Sequence, residues 1–557
     1  MTRTGAAGAW RLACACLAGA AVLLSGHTAP AAPPAIKGLT EAPLLARAVD
    51  LVYDADFAAA DAALARACGP APAQACRVLA AVARWWRLYL DIDDRSRDAA
   101  FTAQLAGVIA EGERWTKREP GRAEAWLYLG AAYGLRVQFN AQRSEYLAAA
   151  RDGKRINQAL ARALALDADL ADANAGLGLY QYYADIAPSV LKVLRWFLGL
   201  PGGDRAQGLA HLQRARTGGV LLKAEAAYQL HFIDLWYENK SGEALEILAE
   251  LRARYPHNPI FVLNAAQAHE VYRSDRSAAL DAYQQLIDGA QRGSLREPAL
   301  AESWGRLGAA AQLNALAEPD RAAEEARAVV ARKPAAPYGA VAQAQLELGR
   351  ALDQVGAREA AVAAYRAAAA SAPAGDPRGV RRAAQQGVSR APARTAAEAM
   401  RLSLDGWRAF QRGDLTGAIA PLDRAVQLRP NDGVHHYRLG RVLLASEDRG
   451  RARAEFERAL QVRPLPPAPF VADSYYQLAT ILEAGSERAR RVALSVGRAR
   501  ARRVRRHASP RGTRAGAAAL AAIRRPRLTP HVTRPRDRAR RSPIAIRKSC
   551  ARVQVYA

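Results

Sequence analysis

The residues of this chain best suited to metal or acid–base chemistry stand at spacings that do not build a site. Nine histidines are present. His269-Glu270 has no second histidine one helical turn on, as a helical zinc pair requires, and the neighbours His435 and His436 must point to different helix faces. Asp91-Ile92-Asp93-Asp94 offers acids without the glycine and terminal glutamate of a calcium loop, and reads as an inter-helix turn. Gly176-Leu177-Gly178 lacks the third glycine of a dinucleotide loop, and neither a Gly-Lys-Ser/Thr phosphate loop nor a Gly-x-Ser-x-Gly elbow occurs. Glu324-Glu325 falls in an Ala/Arg-rich run expected to face solvent. The sequence therefore predicts no catalytic residue, no metal and no cofactor. An enzyme with a composite site drawn from distant segments is the rival reading.

Cysteine chemistry points to stapling, not catalysis. Cys68 and Cys76 flank Gly69-Pro70-Ala71-Pro72, wider than a redox Cys-x-x-Cys and suited to a disulfide across a helix–loop–helix corner. That expectation leans on export. Residues 1–32 have a secretory layout: Arg3 and Arg11, an apolar run from Leu12 to Leu24, then Ala29-Pro30-Ala31-Ala32 with cleavage expected near Ala31 or Ala32. The apolar run is short for a membrane span, so an uncleaved anchor is the alternative. An exported, periplasmic or otherwise extracytoplasmic location follows as the expectation.

The elements that would position any site come from a repeat. Leu348-Gly349, Gly406 and Leu439-Gly440 share one column; Ala361, Ala418 and Ala452 a second; Tyr365, Leu422 and Phe456 a third. Ala368, Ala425 and Ala459 form a fourth, and Pro373, Pro430 and Pro464 a fifth, the last two copies lying 34 residues apart. Small residues in both helices of a pair allow close antiparallel approach, the aromatic or Leu column fills between neighbours, and proline ends the second helix. Trp126, Leu129, Gly130 and Tyr133 fit the same first-helix columns, as do Trp304, Leu307 and Gly308. Tyr228, Ala244, Leu248 and Pro256 give a weaker copy with Phe232 at the glycine position, and Asp56-Phe57 with Ala60, Leu64 and Ala67 a degenerate one.

This pattern resembles the tetratricopeptide repeat (TPR), whose period is 34 and whose first helix reads W-x-x-L-G-x-x-Y. Residues from about 40 to 490 are similar to exported bacterial TPR proteins, a resemblance that brings no known activity with it. It implies an all-α solenoid of antiparallel helix pairs, a TPR-like superhelix. The sequence divides into a leader (1–32), a linker (33–40), an N-terminal array (41–374), a linker with a short helix (375–398), C-terminal repeats (399–486) and an Arg-rich tail (487–557). An apolar insertion at about 182–204 contains Val190–Leu200, entered after Pro188 and closed by Pro201-Gly202-Gly203. It is read as packing into the concave groove or against a neighbouring repeat, with a membrane-surface or partner-docking helix over 186–200 as the alternative.

A curved stack of helix pairs offers its first-helix groove to an extended peptide or a partner helix. The polar first-helix positions Arg136, Gln138, Gln345, Arg350, Arg408, Tyr437 and Arg441 are the candidate contacts, and their arginines suit acidic or carboxylate-bearing partners. The expected function is a non-catalytic scaffold for protein–protein interactions in the cell envelope.

The formal net charge of +27 would suggest nucleic acid, but its distribution argues otherwise. From Glu487 to Ala557 there are 22 basic residues against two acids, leaving +7 on residues 1–486. The tail begins where the last repeat loses its Ala and aromatic columns, and it lacks the interleaved aromatics of a single-strand platform. It reads as a disordered basic arm or an out-of-frame segment: in GC-rich codons, a one-base shift across Ala489–Ala499 can restore small and aromatic residues. Nucleic-acid or anionic-surface binding through this tail is the third reading.

Overall fold

The computed structural model describes residues 35–186 and 202–482. The leader, most of the apolar insertion and the Arg-rich tail lie outside the described residues. Twenty-two α-helices and no strand occur among those described. The chain begins with α1 (Ala42–Tyr53), α2 (Phe57–Ala67), α3 (Ala73–Tyr89) and α4 (Asp98–Arg118). Then α5 (Ala123–Gln142) pairs with α6 (Tyr146–Leu166), α7 (Ala173–Ile186) with α8 (Arg205–Gly218), and α9 (Lys223–Trp236) with α10 (Ser241–Arg254). The helix α11 (Pro259–Gln267), extended by a π turn at Ala268–Tyr272, pairs with α12 (Arg276–Gln291), and α13 (Pro298–Ala315) with α14 (Pro319–Arg332). Next, α15 (Ala340–Gln354) and α16 (Arg358–Ser371) precede the short α17 (Val380–Ser389). Last come α18 (Arg394–Gln411) with α19 (Leu415–Leu428), α20 (Gly433–Ala445) with α21 (Arg449–Gln461), and α22 (Ala468–Leu482).

Local sequence explains the punctuation. Asp56, Asp204, Asp275, Asp414 and Asp448 each accept a backbone N–H at the start of a second helix. The prolines Pro373, Pro430 and Pro464 stand just beyond the ends of α16, α19 and α21, because the residue before a proline avoids helical backbone.

The repeat columns are packing columns. A Cβ on Gly349 would lie 2.5 Å from the Tyr365 ring, and one on Gly406 2.7 Å from Leu422 Cγ, so only glycine permits these approaches. Ala361, Ala418, Ala452, Leu422 and Phe456 are fully buried, and Trp304 nearly so. Trp126 is half-buried, donating its indole N–H to the Pro120 carbonyl. Gly178 packs in the same way against α8, so Gly176-Leu177-Gly178 serves helix packing. Cys68, at the end of α2, is disulfide-bonded to Cys76 in α3.

Residues 375–398 contain one short helix, α17, and the start of α18. Within them α17 buries Val380 and Ala384 beside Tyr365, and α18 already starts at Arg394. One continuous apolar core runs from Leu45 to Ala351, while a separate core spans Ala409 to Leu478.

The array also closes on itself. Asp50 accepts from Tyr255 Oη at 2.7 Å and from Arg254, and Asp54 from the His257 backbone at 3.1 Å. Asp56 pairs with Arg296, and Arg378 reaches Asp93 at 2.8 Å. Asp91, in the turn after α3, takes the Tyr338 backbone N–H on both oxygens at 2.9 and 3.0 Å. Aspartates of α1 and of the turns after α1 and α3 thus meet cations and amides some 200 to 285 positions later. Asn258 Nδ2 donates to the Tyr53 carbonyl at 2.6 Å within the same seam.

Candidate partner-binding surface

The sequence-predicted contacts fall into two groups. In the N-terminal array they are bonded within the fold. Arg136 makes a two-pronged pair with Asp152 at 2.6 and 2.8 Å. Gln138 donates to Glu225 at 2.8 Å. Arg350 reaches Glu347 at 2.5 Å, whose carboxyl burial pushes towards its neutral form. Gln345 is half-buried on α15. Arg136 and Gln138 hold helices to one another, while the Arg350 pair lies within α15.

The second group converges on the C-terminal units. The 34-residue period puts Ser403 and Tyr437 in one column and Trp407 and Arg441 in another, on the first helices α18 and α20. Trp407 lies 5.1 Å from Phe410 and 6.4 Å from Tyr437, ring centre to ring centre. Tyr437 stacks on Phe470 of α22 at 4.7 Å with planes 19° apart. Trp407, Phe410 and Phe470 are half-buried, so this aromatic row keeps one side towards solvent. Tyr437, expected among the exposed positions, is instead buried, because its ring fills the space between α18 and α22.

A polar network fixes the row. Tyr437 Oη donates to Asp473 Oδ2 at 2.9 Å, Arg441 Nη1 pairs with the same oxygen at 2.7 Å, and Gln477 Nε2 donates to Oδ1 at 3.1 Å. Burial, then the Asp473 charge, pushes the Tyr437 phenol up to about 12, so it stays a donor at neutral pH. Arg408, next to Trp407, is an exposed rim cation paired with Asp320 and with Asp405 at 2.9 Å.

Arg438 supports the row from behind. It is 2% exposed, with Nη2 donating to the Ala317 carbonyl at 2.8 Å and Nη1 to Ser403 Oγ at 3.0 Å. Its guanidinium carbon lies 5.9 Å from the Trp407 ring centre. No carboxylate pairs with it among the described residues, and burial pulls its pKa down to about 10. Arg438 thus ties the C-terminal units to the corner between α13 and α14. His436 is held by Glu455 at 2.6 Å and the Pro430 carbonyl at 2.8 Å, while His435 is buried beside Asp432. The two histidines face apart, and no metal-binding group of His, Cys, Asp and Glu occurs among the described residues.

Sequence reasoning found Arg408, Tyr437 and Arg441 but missed Trp407, Phe410, Phe470 and Asp473. The signal for Trp407 was there: it follows the column glycine Gly406 and is the period-34 equivalent of Arg441. Phe470 and Asp473 lie after Pro464-Leu465-Pro466-Pro467, where the strict period breaks.

No protein-family model and no curated protein matches the chain. Among solved structures, an IFIT1 monomeric mutant with Gppp-AAAA is 12% identical, covering 83% of this chain and 82% of that one, with a TM-score of 0.22. A human IFIT1 dimer with m7Gppp-AAAA is 13% identical over 84% and 82%, with a TM-score of 0.21. The helix order and the packing columns of this chain define a helical-repeat solenoid by themselves.

Proposed function

We propose that this protein is a non-catalytic helical-repeat scaffold that holds an extended peptide along the first-helix face of its C-terminal units, outside the cytoplasm. The aromatic row Trp407–Phe410–Tyr437–Phe470, half-buried at all but the buried Tyr437, carries the reading. Flat rings held by a spent polar network offer apolar contact at low entropic cost, as peptide-binding grooves do. Twelve arginines against nine acids between residues 399 and 482 favour an acidic peptide with aromatic or aliphatic anchors. The leader layout and the Cys68–Cys76 disulfide support an oxidising compartment.

The test is a library of acidic and neutral apolar peptides screened against the full chain and Trp407→Ala. Peptides retained by the parent and weakened at least about tenfold by Trp407→Ala, with unchanged circular dichroism, are the expected result. Equal retention by both proteins, or by neither, sinks the proposal.

A further inference from the structure

The polar groups around the aromatic row narrow the kind of peptide it suits. Tyr437 Oη is used twice, donating to Asp473 Oδ2 at 2.9 Å and accepting from Arg441 Nη1 at 3.2 Å. Asp473 takes three hydrogen bonds, from Tyr437, Arg441 and Gln477. A carboxylate offers about four lone-pair sites, so its accepting capacity is nearly spent. The donors are not. The Trp407 indole N–H and the Nε and Nη2 sides of Arg441 have no acceptor among the described residues, and they are not sealed from solvent.

A surface rich in donors and poor in acceptors discriminates among peptides. An ordinary extended segment brings one N–H for every carbonyl, and each N–H laid against the rings without an acceptor costs free energy. Proline brings the carbonyl and no N–H. Its polyproline II helix needs no internal hydrogen bond and is formed before it binds, so little entropy is lost on aromatic-lined grooves.

Geometry and charge agree. Trp407, Tyr437 and Phe470 come from three successive first helices, with ring centres at steps of 6.4 and 4.7 Å. The ends of the row thus lie within about 11 Å, against about 9 Å for one turn of polyproline II. Arg438 already stands 5.9 Å from the Trp407 ring centre, and Arg408 and Arg441 flank the row, which disfavours a cationic partner. We infer that the row takes a proline-rich segment in polyproline II form, lying across α18, α20 and α22 with acidic residues at its ends. This inference rests on the peptide-binding reading of the row and names the anchor.

Calorimetric titration of the full-length protein tests it, with three synthetic probes. One is a hexaproline peptide carrying two glutamates at each end. The second replaces the prolines by alternating leucine and alanine, and the third replaces the glutamates by lysines. The first is expected to bind at least about tenfold more tightly than either of the others at low salt. Trp407→Phe keeps a ring and loses the indole N–H, and should weaken the acidic proline peptide about five- to tenfold. Should Trp407→Phe alter the circular dichroism, Phe470→Leu carries the comparison, with a similar loss expected. Equal or tighter binding of the leucine–alanine peptide, or an unchanged proline affinity in a folded Trp407→Phe, overturns the inference and leaves the row reading standing. No binding of the first two peptides, or proline binding that Trp407→Ala leaves unchanged, overturns both.

Discussion

The two largest cores among the described residues solve the same packing problem to different ends. The N-terminal array spends its first-helix face on itself. Tyr53 and Trp86 from α1 and α3 sit 4.7 Å apart, and Trp86 lies 5.2 Å from Tyr228 of α9, all three buried. Its polar candidates Arg136, Gln138 and Arg350 are tied to Asp152, Glu225 and Glu347. The C-terminal units use the same repeat columns but leave Trp407, Phe410 and Phe470 partly open. What differs is closure: an acidic seam brings the early helices back over the array, whereas α18–α22 are held at their base by Arg438 and Arg408. A repeat can thus be fully covered in one turn and left partly open in the next.

If the N-terminal face is core, truncating it should cost the most. Trp86→Ala is expected to lower stability by about 3–5 kcal/mol in chemical denaturation, the range for a buried aromatic. Phe470→Ala, on a half-buried ring, should cost clearly less. Equal losses would erase the distinction between the two regions.

The anchorage of the C-terminal units is the next lever. Arg438→Met removes the donors to the Ala317 carbonyl and Ser403, leaving a buried acceptor without its bond, for about 1–3 kcal/mol. Scanning calorimetry should then show two separated transitions. A single transition moved as a whole would mean the two cores are coupled by other contacts.

Acid should strain both regions through histidines whose pKa burial lowers, His231 and His435 most of all and His211 less. Burial holds His231 down to about 3 and His435 down to about 4, in the latter case against Asp432 and with help from Arg438. Both are neutral in the fold, while the unfolded chain takes up protons below pH 6.5. Stability therefore falls as pH drops from about 6.5 towards these lower values, by up to about 1.4 kcal/mol per pH unit for each histidine. His435→Leu should flatten that slope by about half and leave the His231 share. A slope unchanged in His435→Leu would place the acid response elsewhere.

The smallest effect belongs to the seam's exposed pairs. Arg254–Asp50 and Arg296–Asp56 are open to solvent at their arginines, so Arg296→Ala should cost under about 1 kcal/mol and less still in high salt. A loss of several kcal/mol would show that closure rests on charge more than on Tyr53, Trp86 and Tyr228.

Much of the repeat was legible because the residues that make it are local. Gly349, Gly406 and Gly440 face Tyr365, Leu422 and Phe456 within their own helix pairs, and the prolines follow the helices they end. Cys68 and Cys76 are eight positions apart, so their pairing needed no knowledge of the wider fold. The candidate surface was half legible. Arg408, Tyr437 and Arg441 follow the repeat phase, but a phase says which side a residue faces, not whether that side is already covered. Arg136 and Gln138 have the right phase and are nevertheless bonded to Asp152 and Glu225.

The sequence alone determined the all-α class, the pairing of helices, the 34-residue step and the separation of the basic tail from a nearly neutral body. Each depends on periodicity or composition, which nearest-neighbour packing reads out directly. Tertiary structure decided that Asp50, Asp54, Asp56, Asp91 and Asp93 close a seam, and that Glu225 receives donors from three helices. Those contacts depend on the small rotation from one pair to the next, summed over many pairs. An irregular unit such as the one with the π turn at Ala268–Tyr272 changes that rotation locally, so its sum is not written in any one repeat.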